Sequence, residues 1–310
     1  MAGLSAIKDV LRDHLQYRAI VKHRSKLGRD LAPRYTAYLE QCRAAFGAAP
    51  VAEGELAQTV NGFDRHGFTS FRTDEDGRLA AGMLTRIQDE ERRGTDVWDA
   101  DRRYRREIYR TFPEIEGFFR GALGRFLAAT YRAHFKIFFG VLYKSERVGP
   151  APVGSQLWHA DGGPGTCINV MIYLKEVEPA DGAMECLPWD LSLKLYRGEL
   201  SVVRDFLDCA AREGRTPTRD DVREVRCAHY GEQIDRRYRS FVEQPTGRAG
   251  LILPFRNNIV HKGGYPGPGR TRYVCVFHVY PSDRPTPWER YRREGIAKSG
   301  NFPRDPAAEF

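Results

Sequence analysis

Apolar residues recur at helical spacing through the first part of the chain and at strand spacing through the rest. After Ser5, a residue type suited to an N-cap, apolar side chains fall at Ile7, Val10, Leu11 and Leu15, and a second such run covers residues 35–46. The period lapses over 48–59, and Gly62-Phe63 and residues 67–71 read as short strands around a turn. Helical patterns return over 77–94 and 99–112, and Pro113 is suited to opening a further helix through Tyr131. From Phe135 the texture changes. Residues 136–143, 154–161, 167–174, 182–187, 250–253 and 272–280 are short apolar runs divided by turns rich in Gly, Pro and Asp, which is the pattern of strands. Residues 191–245 interrupt them with a helix near 200–212 and a polar stretch ending in Asp235-Arg-Arg-Tyr-Arg239. An insertion of that length is a lid, a binding loop or an interface element. No repeat period is visible, which argues against a solenoid.

Composition narrows the class. With 41% hydrophobic and 12% aromatic residues, the 310-residue chain can bury a sizeable core, which excludes a disordered protein. The net charge of +8 comes from 40 Arg and 9 Lys against 41 acidic residues interspersed with them, so it favours anionic partners without identifying one. Arg18, Lys22, His23, Arg24 and Lys26 read either as a patch for a phosphate or acidic partner or as a solvated helix face. No stretch approaches the ~18 uninterrupted apolar residues of a membrane span, and residues 1–31 carry no hydrophobic signal core, so a cytoplasmic protein is expected. The six scattered cysteines form no C-x-x-C pair and are expected as reduced thiols.

The chemistry-bearing residues are His159 and Asp161, which project to one side of the 154–161 strand, within reach of one metal ion; Gly162-Gly163-Pro164-Gly165 ends that strand. His261 follows the 250–253 strand and precedes a Gly/Pro-rich turn, where a loop-borne third ligand can close a triad. Two imidazoles and one carboxylate on one face of a metal leave positions open, as in non-haem Fe(II) oxygenases and unlike a closed four-ligand zinc site. Arg272 begins the last strand and can hold a carboxylate by two parallel hydrogen bonds. Arg270 shares its parity but lies beside the Gly267-Pro268-Gly269 turn, and is the second candidate.

In that order, His159-x-Asp161, residues 169–174, Gly182-Ala-Met-Glu-Cys-Leu-Pro188, His261-x-Gly-Gly and Arg272 resemble the phytanoyl-CoA dioxygenase-like family of Fe(II)/2-oxoglutarate-dependent oxygenases, over residues 62–281. The resemblance implies an α+β protein with a double-stranded β-helix core of the jelly-roll or cupin kind, N-terminal helices packed on one sheet and a lid-like insertion. It implies one catalytic unit: a helical extension over 1–60, supporting helices over 61–134, a core over 135–281 with the insertion 191–245, and a tail over 282–310. It further implies Fe(II), 2-oxoglutarate and O2, with 2-oxoglutarate decarboxylated to succinate while a C–H bond of a small molecule of specialised metabolism is oxidised, by hydroxylation in the simplest case. Pro188-Trp189-Asp190-Leu191-Ser192 departs from the Pro-Gly-Ser-His that members often carry. Related halogenases have a small residue where Asp161 stands, so the acidic ligand argues for hydroxylation or a related oxidation.

Rival readings accompany these residues. A metal-dependent hydrolase with the same triad, and a 2-oxoglutarate-binding module without catalysis, are the alternatives. Asn169 is a candidate hydrogen-bond partner of the co-substrate, or a structural residue at a strand start. His278 shares the parity of Arg272 and reads as a core histidine or a substrate contact; His229 reaches the site only if the insertion folds over it. Residues 230–241 read as an electropositive lid over an anionic substrate or as a solvated loop. Trp158 and Trp189 read as packing residues. Nucleic acid is disfavoured as a partner, because the Arg270-x-Arg272 spacing differs from the wider arginine pair of nucleic-acid demethylases. Oligomeric state is not encoded in any motif.

Overall fold

The computed structural model describes residues 33–47, 52–94, 98, 103–104, 108–147, 149–161, 165–296, 303 and 305–307. The helix expected after Ser5, the basic cluster from Arg18 to Lys26 and the turn at Gly162 to Pro164 lie outside the described residues. Helices α1 (Pro33–Phe46), α2 (Gly54–His66) and α3 (Asp74–Arg92) lead into a short strand β1 (Arg103–Tyr104), then α4 (Ile108–Thr111), α5 (Glu114–Arg120) and α6 (Ala122–Tyr131). The sheet region follows as β2 (His134–Glu146), β3 (Ile168–Tyr173), β4 (Glu185–Cys186), α7 (Trp189–Arg212), α8 (Arg219–Gln233), β5 (Ile252–Arg256), β6 (His261–Lys262), β7 (Thr271–Ser282) and α9 (Trp288–Glu294). All pairings are antiparallel: one sheet runs β1-β2-β7-β3-β5 and a small one joins β4 to β6.

Strand alternation divides the large sheet into two chemical faces. Ile168, Val170, Ile172, Tyr273, Cys275, Phe277 and Val279 are buried against Phe63, Met83, Phe112, Phe119, Leu123 and Phe126 of the helical layer. The opposite face carries Met171, Tyr173, Leu251, Leu253, Phe255 and Val274, which pack with Ala183, Met184 and Cys186 beside β4. The second set is the interior between the two sheets. Along β7, a strand with neighbours on both sides, Val276 and His278 of this inner face keep partial exposure while Cys275, Phe277 and Val279 are buried. A mid-sheet residue can meet solvent only through an opening, so the interior is hollow at that level.

Several boundaries differ from the sequence reading. Gly62-Phe63 lies inside α2 rather than in a strand, because Phe63 completes that helix's buried stripe. Gly67, at φ +80, caps α2 where an added Cβ would lie 2.8 Å from Ile259, and it releases the chain to bridge β5 at Phe68 and Phe71. Residues 103–104 form β1 instead of continuing a helix, and Gly121 divides the helix after Pro113 into α5 and α6. The expected strand over 154–161 is a 3-10 turn, Gly154–Gln156, followed by a single bridge at His159. No helix among the described residues is long and apolar enough to cross a membrane.

The insertion is a helical hairpin, α7 and α8, extended by a π-helical turn at Ile234–Tyr238. Its apolar stripe (Leu191, Leu195, Tyr196, Tyr230, Ile234) is buried on Trp158, Leu187 and Val260. Glu199 is fully buried in the seam, 3.9 Å from Arg226. Burial lifts its carboxyl to about 7, against the opposing pull of Arg226 and Tyr230. In the unfolded chain the group ionises near 4.5, so below that pH it is neutral in both states and contributes nothing. As pH rises toward 7 the unfolded state releases its proton first, and stability falls by on the order of 3 kcal/mol. Glu199→Gln is therefore expected to match the parent protein in urea unfolding at pH 4 and to exceed it by that amount at pH 8; an offset equal at both pH values would contradict the assignment.

Candidate functional site

Three side chains converge at the open end of the interior. The donor atoms of His159, Asp161 and His261 all lie within 4.8 Å of one another. His159 and His261 are held opposite each other by a reciprocal backbone pair, each N–H donating to the other's carbonyl at 2.8 Å. The Asp161 N–H donates to Asn257 O at 3.1 Å, tying the third residue to the turn that precedes His261. Backbone hydrogen bonding thus fixes the spacing of all three.

The ring nitrogens are equally constrained. His159 Nδ1 lies 2.7 Å from Leu157 O, and His261 Nδ1 lies 3.0 Å from Ile259 O. A carbonyl only accepts, so each Nδ1 carries the proton and each Nε2 presents a lone pair. Those two Nε2 atoms face Asp161, at 3.4 Å from Oδ1 and 3.9 Å from Oδ2. Burial, with His159 alongside, pushes the pKa of His261 down to about 4, so the ring is neutral at physiological pH. Burial opposes ionisation of Asp161, yet His261 and His159 hold its carboxyl well below the usual range. Two imidazole Nε2 atoms and one carboxylate form a donor set for a divalent metal, with the second nitrogen of each ring anchored as metal-binding histidines require. The residues present fit such an ion.

The register of the large sheet shows what lies beyond the triad. Residues paired across strands share a face, and on the inner face they form rows: Phe139, His278, Asn169 and Phe255; then Val141, Val276, Met171 and Leu253; then Tyr143, Val274 and Tyr173; then Ser145 and Arg272. The first row meets the triad, because Asn169 Nδ2 donates to Asp161 Oδ2 at 2.5 Å and the Phe255 ring centres 4.9 Å from that of His261. The two middle rows are apolar apart from two tyrosines. Arg272 closes the far end.

Arg272 is 4% exposed. Its guanidinium donates to Gly182 O and, at 3.4 Å, to Ser145 Oγ, while its buried Nε has no partner. No carboxylate among the described residues lies within ion-pair distance of it, and burial lowers its pKa. The head leans toward the triad: a Cβ on Gly263, two residues past His261, would lie 3.3 Å from Nη2. Gly182 and Gly264 cross so closely that a Cβ on Gly264 would lie 2.6 Å from the Gly182 carbonyl carbon. This crossing accounts for Gly264, while Gly263 leaves room for the guanidinium, which donates to the Gly182 carbonyl. Arg270 differs in every respect, being half-exposed and 3.7 Å from both Glu178 and Asp181.

The remaining candidates are distributed as follows. His278 is in the first row with its ring 5.1 Å from that of Phe139. His229 packs against Gly198 in the seam of the hairpin. Trp158 is buried beneath the hairpin and Trp189 in the interior cluster. Asn169 is committed to Asp161 through its amide. The sequence reading missed Ser145 and the Gly182 carbonyl as partners of Arg272, and Phe255 beside His261; none of them carries a local motif.

The fold is similar to that of solved iron, 2-oxoglutarate-dependent enzymes. Among solved structures, the epimerase SnoN in complex with Fe3+, alpha ketoglutarate and nogalamycin RO matches at a TM-score of 0.50 and 12% identity, over 82% of this chain and 95% of that one. The carbocyclase SnoK from nogalamycin biosynthesis matches at 0.49 and 15% identity, over 82% and 98%. AviO1 from Streptomyces viridochromogenes Tue57 matches at 0.47 and 20% identity, over 74% and 96%. No family model and no curated protein matches the sequence.

Proposed function

We propose that the chain is a single catalytic unit, an Fe(II)/2-oxoglutarate-dependent oxygenase in which the two sheets are the walls of a double-stranded β-helix. The observation that carries this reading is the pairing of an open His-His-Asp donor set with a buried arginine that has no carboxylate among the described residues within ion-pair distance, across apolar rows of the sheet. His159, Asp161 and His261 would hold the metal, and Asn169 would orient the Asp161 carboxylate. Arg272 would take the distal carboxylate of 2-oxoglutarate, since a desolvated guanidinium is matched by a bidentate anion. Arg270 is set aside for this role because two acidic residues and solvent already satisfy it. When bound, iron and its co-substrates supply the oxidising power: one O2 is consumed, 2-oxoglutarate leaves as succinate and CO2, and the second oxygen atom enters the substrate if the reaction is hydroxylation.

The chain's own residues prepare the site for that reaction. The two carbonyls that accept from Nδ1–H fix the tautomer and aim both Nε2 atoms at the donor site, and burial keeps the His261 ring neutral. Val141, Val276, Met171 and Leu253 line the way to Arg272 with apolar side chains, and their contact with a bound co-substrate would exclude water and strengthen the charge pairing at Arg272. Phe139 and His278 border the triad on the side away from Arg272, where a small molecule would enter. A substrate from specialised metabolism is in keeping with SnoN, whose complex contains nogalamycin RO. The purified protein is expected to convert 2-oxoglutarate to succinate, measured by mass spectrometry, only with Fe(II) and oxygen together. Succinate formed under nitrogen, or hydrolysis supported by zinc, would remove this reading.

A further inference from the structure

The hairpin sits behind the candidate ligands rather than over the opening between the sheets. His159 and His261 face the interior, whereas their neighbours Trp158 and Val260 are buried on the hairpin side with Leu187, Leu191 and Tyr196. Two polar side chains of α7 reach through that apolar contact to the backbone leading into His261. Ser192, fully buried, donates from Oγ to Leu187 O at 3.0 Å and accepts the Val260 N–H at 2.9 Å. Tyr196, also fully buried, donates its hydroxyl proton to Asn258 O.

The position of Ser192 in the ladder is informative. Leu187 N–H donates to Val260 O at 2.9 Å, so these residues form a backbone pair one step beyond the β4–β6 pairing of Cys186 with His261. In an antiparallel hydrogen-bonded pair the return bond runs directly from Val260 N–H to Leu187 O. Here the hydroxyl stands between them, and two bonds through Ser192 replace that one. The strands are thereby wedged apart immediately before His261. The turn so displaced supplies Asn257 O to the Asp161 N–H and Asn258 O to Tyr196. One helix therefore sets the path of the segment that positions His261 directly and Asp161 through its backbone bond.

We propose that Ser192 and Tyr196 are positioning residues for the metal ligands, so that the insertion serves as a buttress that sets ligand geometry. This rests on the metal reading above. Without the Ser192 hydroxyl the direct ladder bond can close, drawing Val260 toward Leu187 and taking His261 out of line with Asp161. Misplacing a ligand's support typically weakens metal binding 10–100-fold. Stability alone does not predict such a change, because the hydrogen bonds themselves lie outside the donor set.

The test is titration of the full-length protein with Co(II) under nitrogen, following affinity and the visible ligand-field bands, together with the melting temperature of the metal-free protein. Ser192→Ala is expected to bind Co(II) 10–100-fold more weakly than the parent, with shifted bands, and Tyr196→Phe to change both in the same direction. Tyr291→Phe removes an equally buried hydroxyl on the helical side of the sheet, which accepts the Ile137 N–H at 2.9 Å and donates to Ile137 O at 3.2 Å; it is expected to lower stability while leaving cobalt affinity and spectrum unchanged. Parent-like affinity and bands in Ser192→Ala would overturn the proposal. Should that variant fail to fold, parent-like binding by Tyr196→Phe would do so. A parent protein that takes up no Co(II) would instead refute the metal reading, and the positioning role with it.

Discussion

Arg272→Met is expected to bind 2-oxoglutarate at least ~100-fold more weakly than the parent while its ligand-free form melts no lower. The two effects have one origin. In the ligand-free protein Arg272 is a buried charge with no carboxylate among the described residues within ion-pair distance and with Nε unpartnered, an arrangement that costs stability unless an anion completes it. A methionine of similar length fills the space without that cost, and this offsets the lost bonds to Gly182 O and Ser145. On the proposed reading the distal carboxylate of bound 2-oxoglutarate would meet the same buried position, and removing the arginine would leave it unpaired. Breaking a buried pair in this way costs about 3–5 kcal/mol, or 100-fold and more in affinity. Arg270→Gln, which removes only half-exposed contacts at 3.7 Å, is expected to stay within twofold. Calorimetric titration with 2-oxoglutarate in the presence of Mn(II), beside thermal unfolding, separates the cases. An Arg272→Met protein that loses stability and keeps its affinity would make Arg272 a structural residue.

What the sequence disclosed about the site depended on how local its cause was. The convergence of His159 and Asp161 was legible because donors one residue apart project to one side of an extended segment, and their donor atoms lie together although residues 154–156 form a 3-10 turn and only a single bridge is present at His159. The distinction between Arg272 and Arg270 was legible from apolar neighbours on one side and a Gly-Pro-Gly turn on the other. The partners of Arg272 were not: Ser145 lies 127 residues away and Gly182 90, brought in by strand register and by a crossing of two glycines that no local pattern announces. The hairpin was half legible. Through α8 and into the π-helical turn, Cys227, Tyr230 and Ile234 have helical spacing, but they form a narrow stripe among charged residues that read as a polar stretch. At the other end of the insertion, α7 begins at Trp189, directly after Pro188, so Ser192 lies within its first turns rather than in a loop. Its role follows from one hydroxyl in a backbone ladder, which a sequence pattern cannot express.

Asp161→Asn separates the charge at the site from its shape. The substitution keeps the side-chain outline, and its amide oxygen can still accept from Asn169 Nδ2, now 2.5 Å from Oδ2. Its NH2 group would then face the Nε2 lone pair of His159, 3.4 Å from Oδ1 in the parent, and could donate to it. An asparagine is therefore satisfied by the very lone pairs a metal would need, and the site no longer has a negative charge to offer. Binding is expected to weaken by more than the 10–100-fold typical of outer partners such as Asn169, and succinate formation to fall below detection. The metal-free protein should melt at or above the parent temperature. At a metal concentration about 100 times its dissociation constant the parent gains about 2.7 kcal/mol of stability from binding, whereas the variant should gain almost nothing. Thermal unfolding with and without Co(II) measures that difference without turnover. Equal stabilisation of the two proteins would mean that Asp161 is a hydrogen-bonding partner of the histidines and not a ligand.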